Sequence, residues 1–218
     1  MNKELKKRIL SSIILLPIII YLIIKGSFLF NFFILICFFI SIYEWHMMTK
    51  NFLYKIFGLL FLILSFYTIY KIRNDFSNDY DYFLLIILVC VSTDIGGYIF
   101  GKIFKGPKIS RISPNKTYSG MVGSFLLPII VIFFFLTSKS NFEIYDKIIF
   151  LHNMNLFFTI FFISLVSQLG DFMISYLKRK SNKKDTGNLI PGHGGLLDRI
   201  DGIIFATIFY NLLIKANI

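Results

Sequence analysis

The sequence predicts an all-α, polytopic integral membrane protein of about seven transmembrane helices, within a range of six to nine, with a candidate active site at the cytoplasmic helix ends. The first observation is composition: 56% of residues are hydrophobic, only 16% are charged, and the mean hydropathy is +0.72. Soluble domains are about 45–50% apolar. The second is that the apolar residues form continuous runs, which favours helices over the alternating segments of a barrel.

Seven apolar runs approach the length of about 20 residues that a helix needs to cross a bilayer. We predict spans at 9–24, 27–43, 52–70, 83–100, 120–137, 155–177 and 203–216. The first run follows a basic start, Lys6, Lys7 and Arg8, which is also typical of a signal peptide. Because the run is long and no small-x-small cleavage site follows it, we interpret it as a retained first span.

The basic residues predict the orientation, because cytoplasmic loops carry an excess of Lys and Arg. The basic N-terminus is placed in the cytoplasm, and counting spans then places 101–119 and 178–202 there too. These are the two most basic loops of the chain. The acidic segment 73–82 and the loop near Glu143 and Asp146 fall on the other side. Parity and charge therefore agree with seven spans.

The net charge is +11, and the positive residues lie beside apolar spans. This placement favours topology signals, lipid headgroups and anionic substrates over nucleic acid, so no nucleic-acid partner is expected. Cys37 and Cys90 both lie inside apolar runs. They match no metal-binding spacing and no disulfide framework, and we expect two buried small hydrophobic residues.

Two aspartates lie where a membrane span would exclude them, at about 2.5–3.5 kcal/mol for a residue at the helix centre. Asp94 follows "VCVST" and Asp171 follows "LVSQLG". On a helix, Gln168, Asp171, Ser175 and Lys178 share one face that runs into the second basic loop. This polar stripe predicts one wall of a site, and the alternative is a helix end close to water.

The stretch "GGYIFGKI", 96–103, matches the first part of a P-loop. Ile103 stands where a P-loop has Ser or Thr, so the hydroxyl that binds Mg²⁺ is missing. The spacing of Gly97 and Gly101 instead predicts close helix packing. Such packing leaves a homodimer open as a partner prediction.

The loop "KRKSNKKDTGNLIPGHGGLLDRIDG", 178–202, joins cations, carboxylates and glycines. Cations and glycine-rich backbone together surround phosphate. Asp185, Asp198 and Asp201 would weaken a phosphate site unless they hold a divalent cation. His193, in "PGHGG", is placed to donate to a phosphate oxygen. The combination indicates phosphoryl or nucleotidyl transfer.

The same loop resembles the signature of the phosphatidate cytidylyltransferases, also called CDP-diacylglycerol synthases. Their pattern is Ser, two residues on Lys-Arg, four residues on Lys-Asp, then Pro-x-His-Gly-Gly and Asp-Arg-x-Asp. This sequence matches it at Ser175, Lys178, Arg179, Lys184, Asp185, Pro191, His193, Gly194, Gly195, Asp198, Arg199 and Asp201.

Two segments upstream of the signature, "QLGD" at 168–171 and "RISPNKTYSG" at 111–120, also resemble family segments. The second departs from the family pattern at Ser119, where an acidic residue is more usual. The resemblance is strong from about 90 to 202 and only general before that, where the chain is short for the family.

The resemblance implies that CTP and phosphatidate react to give CDP-diacylglycerol and pyrophosphate, with Mg²⁺ as cofactor and a second, monovalent cation left open. It implies one membrane-embedded domain over 1–218, with N-terminal spans to about 82 and a catalytic part from about 83. It also implies a multi-pass protein of the bacterial inner membrane.

The site residues expected on this basis fall into three groups. The catalytic group is His193, Lys184, Asp185, Asp198, Arg199 and Asp201. The substrate-binding group is Lys116, Ser175, Lys178, Arg179, Gly194 and Gly195. The metal ligands are Asp171, Asp198 and Asp94, with Asp201 as a further candidate.

Two other functions were weighed. "DRIDG", 198–202, mimics the start of the CDP-alcohol phosphatidyltransferase motif, but no Ala-Arg and no later Asp follows it. A small transporter would distribute its charges through the spans and break helices near mid-membrane. This sequence concentrates its charges on one side, which disfavours that reading.

Overall fold

The computed structural model describes residues 3–74, 80–109, 116–138, 156–190 and 194–215. In these ranges the chain forms seven helices and no β-strand, with two isolated bridges at Lys108–Thr117 and Ile190–Gly194. The helices are α1 (Lys3–Lys25), α2 (Ser27–Met48), α3 (Phe52–Asn74), α4 (Asp81–Phe104), α5 (Tyr118–Ser138), α6 (Leu156–Lys180) and α7 (Leu197–Lys215).

Over the residues that the structure describes, each predicted span lies on its own helix, and the all-α polytopic prediction is confirmed. Helices α2 to α6 are long and apolar enough to cross a membrane, and α1 adds a shorter apolar stretch, Ile13–Lys25. Large apolar side chains cover much of the outer surface, for example Phe57 and Phe133, as a lipid-facing surface requires. The number of spans stays a prediction.

Helix α7 begins at Leu197, six residues before the predicted span at 203. Asp198 and Asp201 therefore stand in the first two turns of a helix, and their earlier placement in the loop was wrong. Glu44, on a distant part of the chain, accepts hydrogen bonds from the backbone N–H groups of Leu196 and Leu197 at this helix start. The helix fixes the direction of both side chains relative to α4 and α6.

Contacts between helix ends show which loops share a side of the bundle. Arg73 of α3 donates to the carbonyl oxygen of Ile23 near the end of α1, at 2.8 Å. At the opposite end, Lys183 after α6 donates to the carbonyl oxygen of Met47 near the end of α2, at 2.5 Å. The α2–α3 turn and the described loop residues 181–190 and 194–196 therefore lie on one side, together with the start of α7.

Helices α4 and α5 approach closely along a glycine seam. A Cβ added at Gly96 would lie 2.3 Å from the carbonyl oxygen of Gly123, and one at Gly120 would lie 2.6 Å from that of Gly97. The close packing predicted at Gly97 and Gly101 is confirmed, and its partner is α5 of the same chain. It therefore gives no argument for a homodimer. The same helical backbone excludes a P-loop at 96–103.

Candidate active site

A cavity of about 350 Å³ lies among α4, α5, α6 and α7, near the ends that carry the two basic loops. The charged side chains that line it come from α4, from Lys116 just before α5, and from α6 and α7. The charged and amide side chains that line it are Asp94, Lys116, Gln168, Asp171, Asp198, Arg199 and Asp201. The structure therefore gathers all four candidate metal ligands at one cavity.

The polar face predicted on α6 exists. Gln168 and Asp171 line the cavity, and the Ser175 hydroxyl donates to Asp171 Oδ1 at 3.3 Å, one turn along the helix. Lys178 continues the face towards α7, where its ammonium group meets Asp198. The face thus links the cavity to the start of α7.

Lys116 and Asp171 form an ion pair at the cavity, with Nζ and Oδ2 2.5 Å apart and about a third of each side chain exposed, 35% and 29%. The start of α5 fixes the position of Lys116. Thr117 caps this helix, since its Oγ1 accepts a hydrogen bond from Gly120 N at 3.1 Å. The pair is accessible from the cavity. A phosphate anion can therefore take the place of Asp171 beside Lys116, and a metal cation can take the place of Lys116 beside Asp171.

Asp94 and Asp201 line the same cavity from α4 and α7, and both interact electrostatically with Asp171. Asp201 is buried, and its Oδ1 accepts a hydrogen bond from Gly202 N at 2.9 Å. Three carboxylates around one cavity create a negative potential that attracts a divalent cation, and their oxygens are the ligands that Mg²⁺ prefers. Among the described residues, however, no three His, Cys, Asp or Glu side chains form a ready-made metal cage.

Asp198 is held by many donors at the start of α7. Its Oδ1 accepts from Lys178 Nζ at 2.7 Å, and its Oδ2 accepts from the backbone N–H groups of Thr186 at 2.8 Å and Gly195 at 3.0 Å. Burial opposes ionisation of this carboxyl, but these hydrogen bonds outweigh it and hold the pKa of Asp198 below its usual range. Asp198 precedes the apolar span at 203–216. A metal ion bound by Asp198 would therefore share Oδ1 with the Lys178 ammonium group or replace it.

The two glycines of the signature have packing reasons of their own. Gly194 has φ +88°, and a Cβ there would lie 2.9 Å from Asp198 Oδ2. A Cβ at Gly195 would lie 2.1 Å from Thr186 Oγ1 and 2.5 Å from Glu44 Oε2. Both positions therefore exclude larger residues before any substrate is considered, and their role in substrate binding stays a prediction.

The other described residues of the prediction, Arg179 at the end of α6 and Lys184 and Asp185 in the loop after it, do not line the cavity. Arg179 is exposed and its Nη1 lies 3.4 Å from the carbonyl oxygen of Lys183. Lys184 and Asp185 are exposed. His193 lies outside the described residues. Of the expected phosphate-binding cations, Lys116 and Arg199 reach the cavity.

Two residues that sequence reasoning missed hold this loop, Glu44 and Thr186. Thr186 is buried and its hydroxyl contacts both Glu44 and Asp198. Glu44 is a buried carboxylate near the end of α2. The signal was present, because Glu44 follows the apolar run "FFISIY". The same argument that singled out Asp94 applies to it, but the predicted span ended at residue 43.

Comparison with known proteins agrees with the signature. A family model described as the cytidylyltransferase family matches residues 49–217. The phosphatidate cytidylyltransferase of Rickettsia conorii is 34% identical over 214 residues, which cover 94% of this chain and 89% of the relative. That of Rickettsia felis is 36% identical, covering 92% and 88%. That of Staphylococcus haemolyticus is 36% identical over 156 residues, covering 69% and 54%. The resemblance is therefore confirmed, and the chain belongs to the cytidylyltransferase family.

Proposed function

We propose that this protein transfers the cytidylyl group of CTP to phosphatidate, giving CDP-diacylglycerol and pyrophosphate, a step of phospholipid biosynthesis. The observation that carries the proposal is the cavity lined by Asp198, Arg199 and Asp201 of the signature. There Asp94, Asp171 and Asp201 meet the cations Lys116 and Arg199. Relatives named phosphatidate cytidylyltransferase align with more than nine-tenths of the chain and supply the identity of the substrates.

The place of the cavity suits one substrate in the lipid and one in water. The helices that enclose it present apolar surfaces outward, and the cavity lies near the ends that carry the basic loops. Phosphatidate would reach it along the membrane, and CTP from the aqueous side. We propose that this side is the cytoplasm, that the membrane is the bacterial inner membrane, and that the N-terminus is cytoplasmic. The Lys and Arg excess at these ends supports that orientation.

The chemistry is a displacement at phosphorus. A phosphate oxygen of phosphatidate forms a bond to the α-phosphorus of CTP, and the bond from that phosphorus to the bridging oxygen breaks, so pyrophosphate leaves with the electron pair. The attacking oxygen is already anionic at neutral pH and needs no general base. The barrier comes from bringing two polyanions together, so neutralisation and positioning carry the catalysis.

We propose Mg²⁺ as the cofactor, held by Asp171 and one or more of Asp94, Asp198 Oδ1 and Asp201. The carboxylate oxygens suit this ion by their chemistry, and all four side chains line the same cavity. Bound there, it would neutralise phosphate oxygens and the departing pyrophosphate. A monovalent cation beside it remains open.

The protein's own cations have distinct places in this scheme. Lys116 and Arg199 reach into the cavity and would bind the phosphates of the two substrates. Arg179 at the end of α6 and Lys184 on the loop are exposed and would guide CTP towards it. Lys178 is engaged with Asp198 and would act by holding α7 in place. His193 would contact a transferring or leaving phosphate, a role that rests on the family resemblance alone.

The test is formation of labelled CDP-diacylglycerol from labelled CTP, phosphatidate and Mg²⁺ in mixed micelles. Asp94→Asn should lower turnover by about 100-fold, since it removes charge from the cavity. Asp81→Asn makes the same change at the opposite end of α4 and should keep the parent's turnover.

No product from the folded parent would refute the proposal. Equal loss in Asp94→Asn and Asp81→Asn would refute the cavity as the site, because only Asp94 lies there.

A further inference from the structure

Glu44 is an acid inside a transmembrane helix that is otherwise almost entirely apolar. It lies on α2, one turn before the helix ends at Met48, and is only 3% exposed. A buried carboxylate is strongly unfavourable unless donors surround it. Its contacts must therefore account for its presence.

The contacts lie at the start of α7, 152 positions along the chain. Glu44 Oε1 accepts from Leu196 N at 2.8 Å, and Oε2 accepts from Leu197 N at 2.9 Å. The first N–H groups of a helix have no partner within the helix, and they carry partial positive charge. Glu44 thus caps α7 from a distant helix, in the role that a local Ser or Asp usually has.

The signature loop also closes around the same carboxylate. Thr186 Oγ1 lies 2.8 Å from Glu44 Oε2 and 3.0 Å from Asp198 Oδ2, so one hydroxyl bridges the two acids. A Cβ at Gly187 would lie 2.9 Å from Glu44 Oε1, and one at Gly195 would lie 2.7 Å from it. The backbone approaches Glu44 so closely that only glycine fits at Gly195.

Two lysines, one at the end of α6 and one in the loop that follows, contact the same corner of the bundle. Lys183 donates to the carbonyl oxygen of Met47, and Lys180 donates to the Tyr54 hydroxyl at 2.8 Å. Both acceptors lie beside the α2–α3 turn. Glu44 is the anchor among them that touches α7 itself, and α7 carries Asp198, Arg199 and Asp201 to the cavity.

We propose that Glu44 is a positioning residue for the reaction: it sets the start of α7, and through it the placement of Asp198, Arg199 and Asp201 against Asp94 and Asp171. Glu44 does not line the cavity. It also lies outside residues 49–217, which match the cytidylyltransferase family model. The catalytic half of the chain is therefore completed by a carboxylate from the N-terminal half. The catalytic part of this inference rests on the proposed function.

The test compares Glu44→Gln and Glu44→Asp with Ser41→Ala. The amide of Gln directs its NH₂ at one of the two backbone donors, and Asp keeps the charge but reaches less far. Ser41 is one turn away on α2 and is buried, with its hydroxyl on the carbonyl oxygen of Cys37 at 2.7 Å. Ser41→Ala changes α2 without touching the loop and should behave as the parent does.

Three readouts separate positioning from folding. Trp45 is the single tryptophan and is buried, with Nε1 2.9 Å from the carbonyl oxygen of Tyr54, so its emission reports the α2–α3 corner. Trypsin cleavage after Lys184, relative to cleavage after Lys105 at the end of α4, reports the loop. The kcat of the folded protein reports the cavity.

We expect Glu44→Gln to keep the Trp45 emission, to be cleaved faster after Lys184, and to lose about 10- to 100-fold in kcat. Glu44→Asp should recover part of both losses. A folded Glu44→Gln with the parent's kcat and the parent's cleavage rate would overturn the proposal.

If Glu44→Gln does not fold, the same readouts are applied to Glu44→Asp. A parent-like kcat together with a parent-like cleavage rate in Glu44→Asp would then overturn the proposal. A parent without cytidylyl transfer would refute the proposed function instead. The cleavage comparison would still decide whether Glu44 holds the loop.

Discussion

Two lysine–aspartate pairs each have one member on helix α6, and the pairs differ in exposure and in their further hydrogen-bond partners. Lys116–Asp171 lies at the cavity with 35% and 29% of its side chains exposed. Lys178–Asp198 lies beneath the loop with 11% and 6% exposed. The Asp198 carboxylate has further backbone donors from Thr186 and Gly195, whereas Asp171 adds the Ser175 hydroxyl.

The difference teaches that lysine–aspartate pairs near one cavity can have two different roles, one in binding and one in holding the fold. In a pair with about a third of each side chain exposed, either residue can be replaced by a phosphate or a metal ion at small free-energy cost. A buried pair with its acceptors filled resists exchange, because breaking it leaves an uncompensated charge. We therefore assign Lys116–Asp171 to substrate and metal, and Lys178–Asp198 to holding the start of α7.

The largest expected effect follows removal of Lys178. Lys178→Met leaves Asp198 buried without its cation, so we expect a loss of about 3–5 kcal/mol in the free energy of unfolding. The start of α7 loses its fixed position, and turnover should fall with it. Denaturant titration in detergent micelles, followed by Trp45 emission and by the amount of folded protein, measures the loss.

The same change in the other pair is the control for this prediction. A loss of stability from Lys116→Met as large as that from Lys178→Met would remove the distinction between the two pairs.

The second effect is catalytic and comes from the open pair. Lys116→Met should keep stability within about 1 kcal/mol of the parent, because exposed ion pairs contribute little. It should lower kcat/KM for cytidylyl transfer by about 100-fold, since a cation at the cavity is lost. Steady-state kinetics with varied CTP and varied phosphatidate measure the change.

Lys102→Met supplies the matched control, because Lys102 is a cation near the end of α4 that does not line the cavity. Equal kinetic losses from both substitutions would indicate a general effect of charge at this membrane face.

Much of the fold is readable from the sequence, because a bilayer imposes length and apolarity on each helix separately. The seven runs lie on seven helices, and Asp94 and Asp171 were found as charges that a membrane should exclude. The pairing of Lys178 with Asp198 could not be read, although both residues belong to the signature. Spacing along a chain gives the face of one helix, but it does not say which face of another helix it meets.

Glu44 is a second residue whose partners could not be predicted from the sequence. Glu44 caps α7 through two backbone N–H groups, those of Leu196 and Leu197. Every residue type except proline has such a group, so the sequence does not indicate that these two bind Glu44. The glycines of "HGG" invited a phosphate interpretation, whereas in the fold Gly195 lies against Thr186 and Glu44. Close packing and anion binding select the same residue, so the sequence alone cannot separate them.

The smallest expected effect is the loss of folding stability at acid pH that comes from the Lys178–Asp198 pair. The folded pKa of Asp198 lies below its ordinary value of 3.8, so its ionisation favours the folded state. This stabilisation is fully present above that value and is lost as the pH falls through the folded pKa. Thermal unfolding in micelles between about pH 5 and pH 2 should therefore show stability falling more steeply in the parent than in Asp198→Asn, which has no carboxyl at this position. Parallel curves would mean that Asp198 is not the source, and the low exposure of the pair would then reflect packing without a net contribution from its charge.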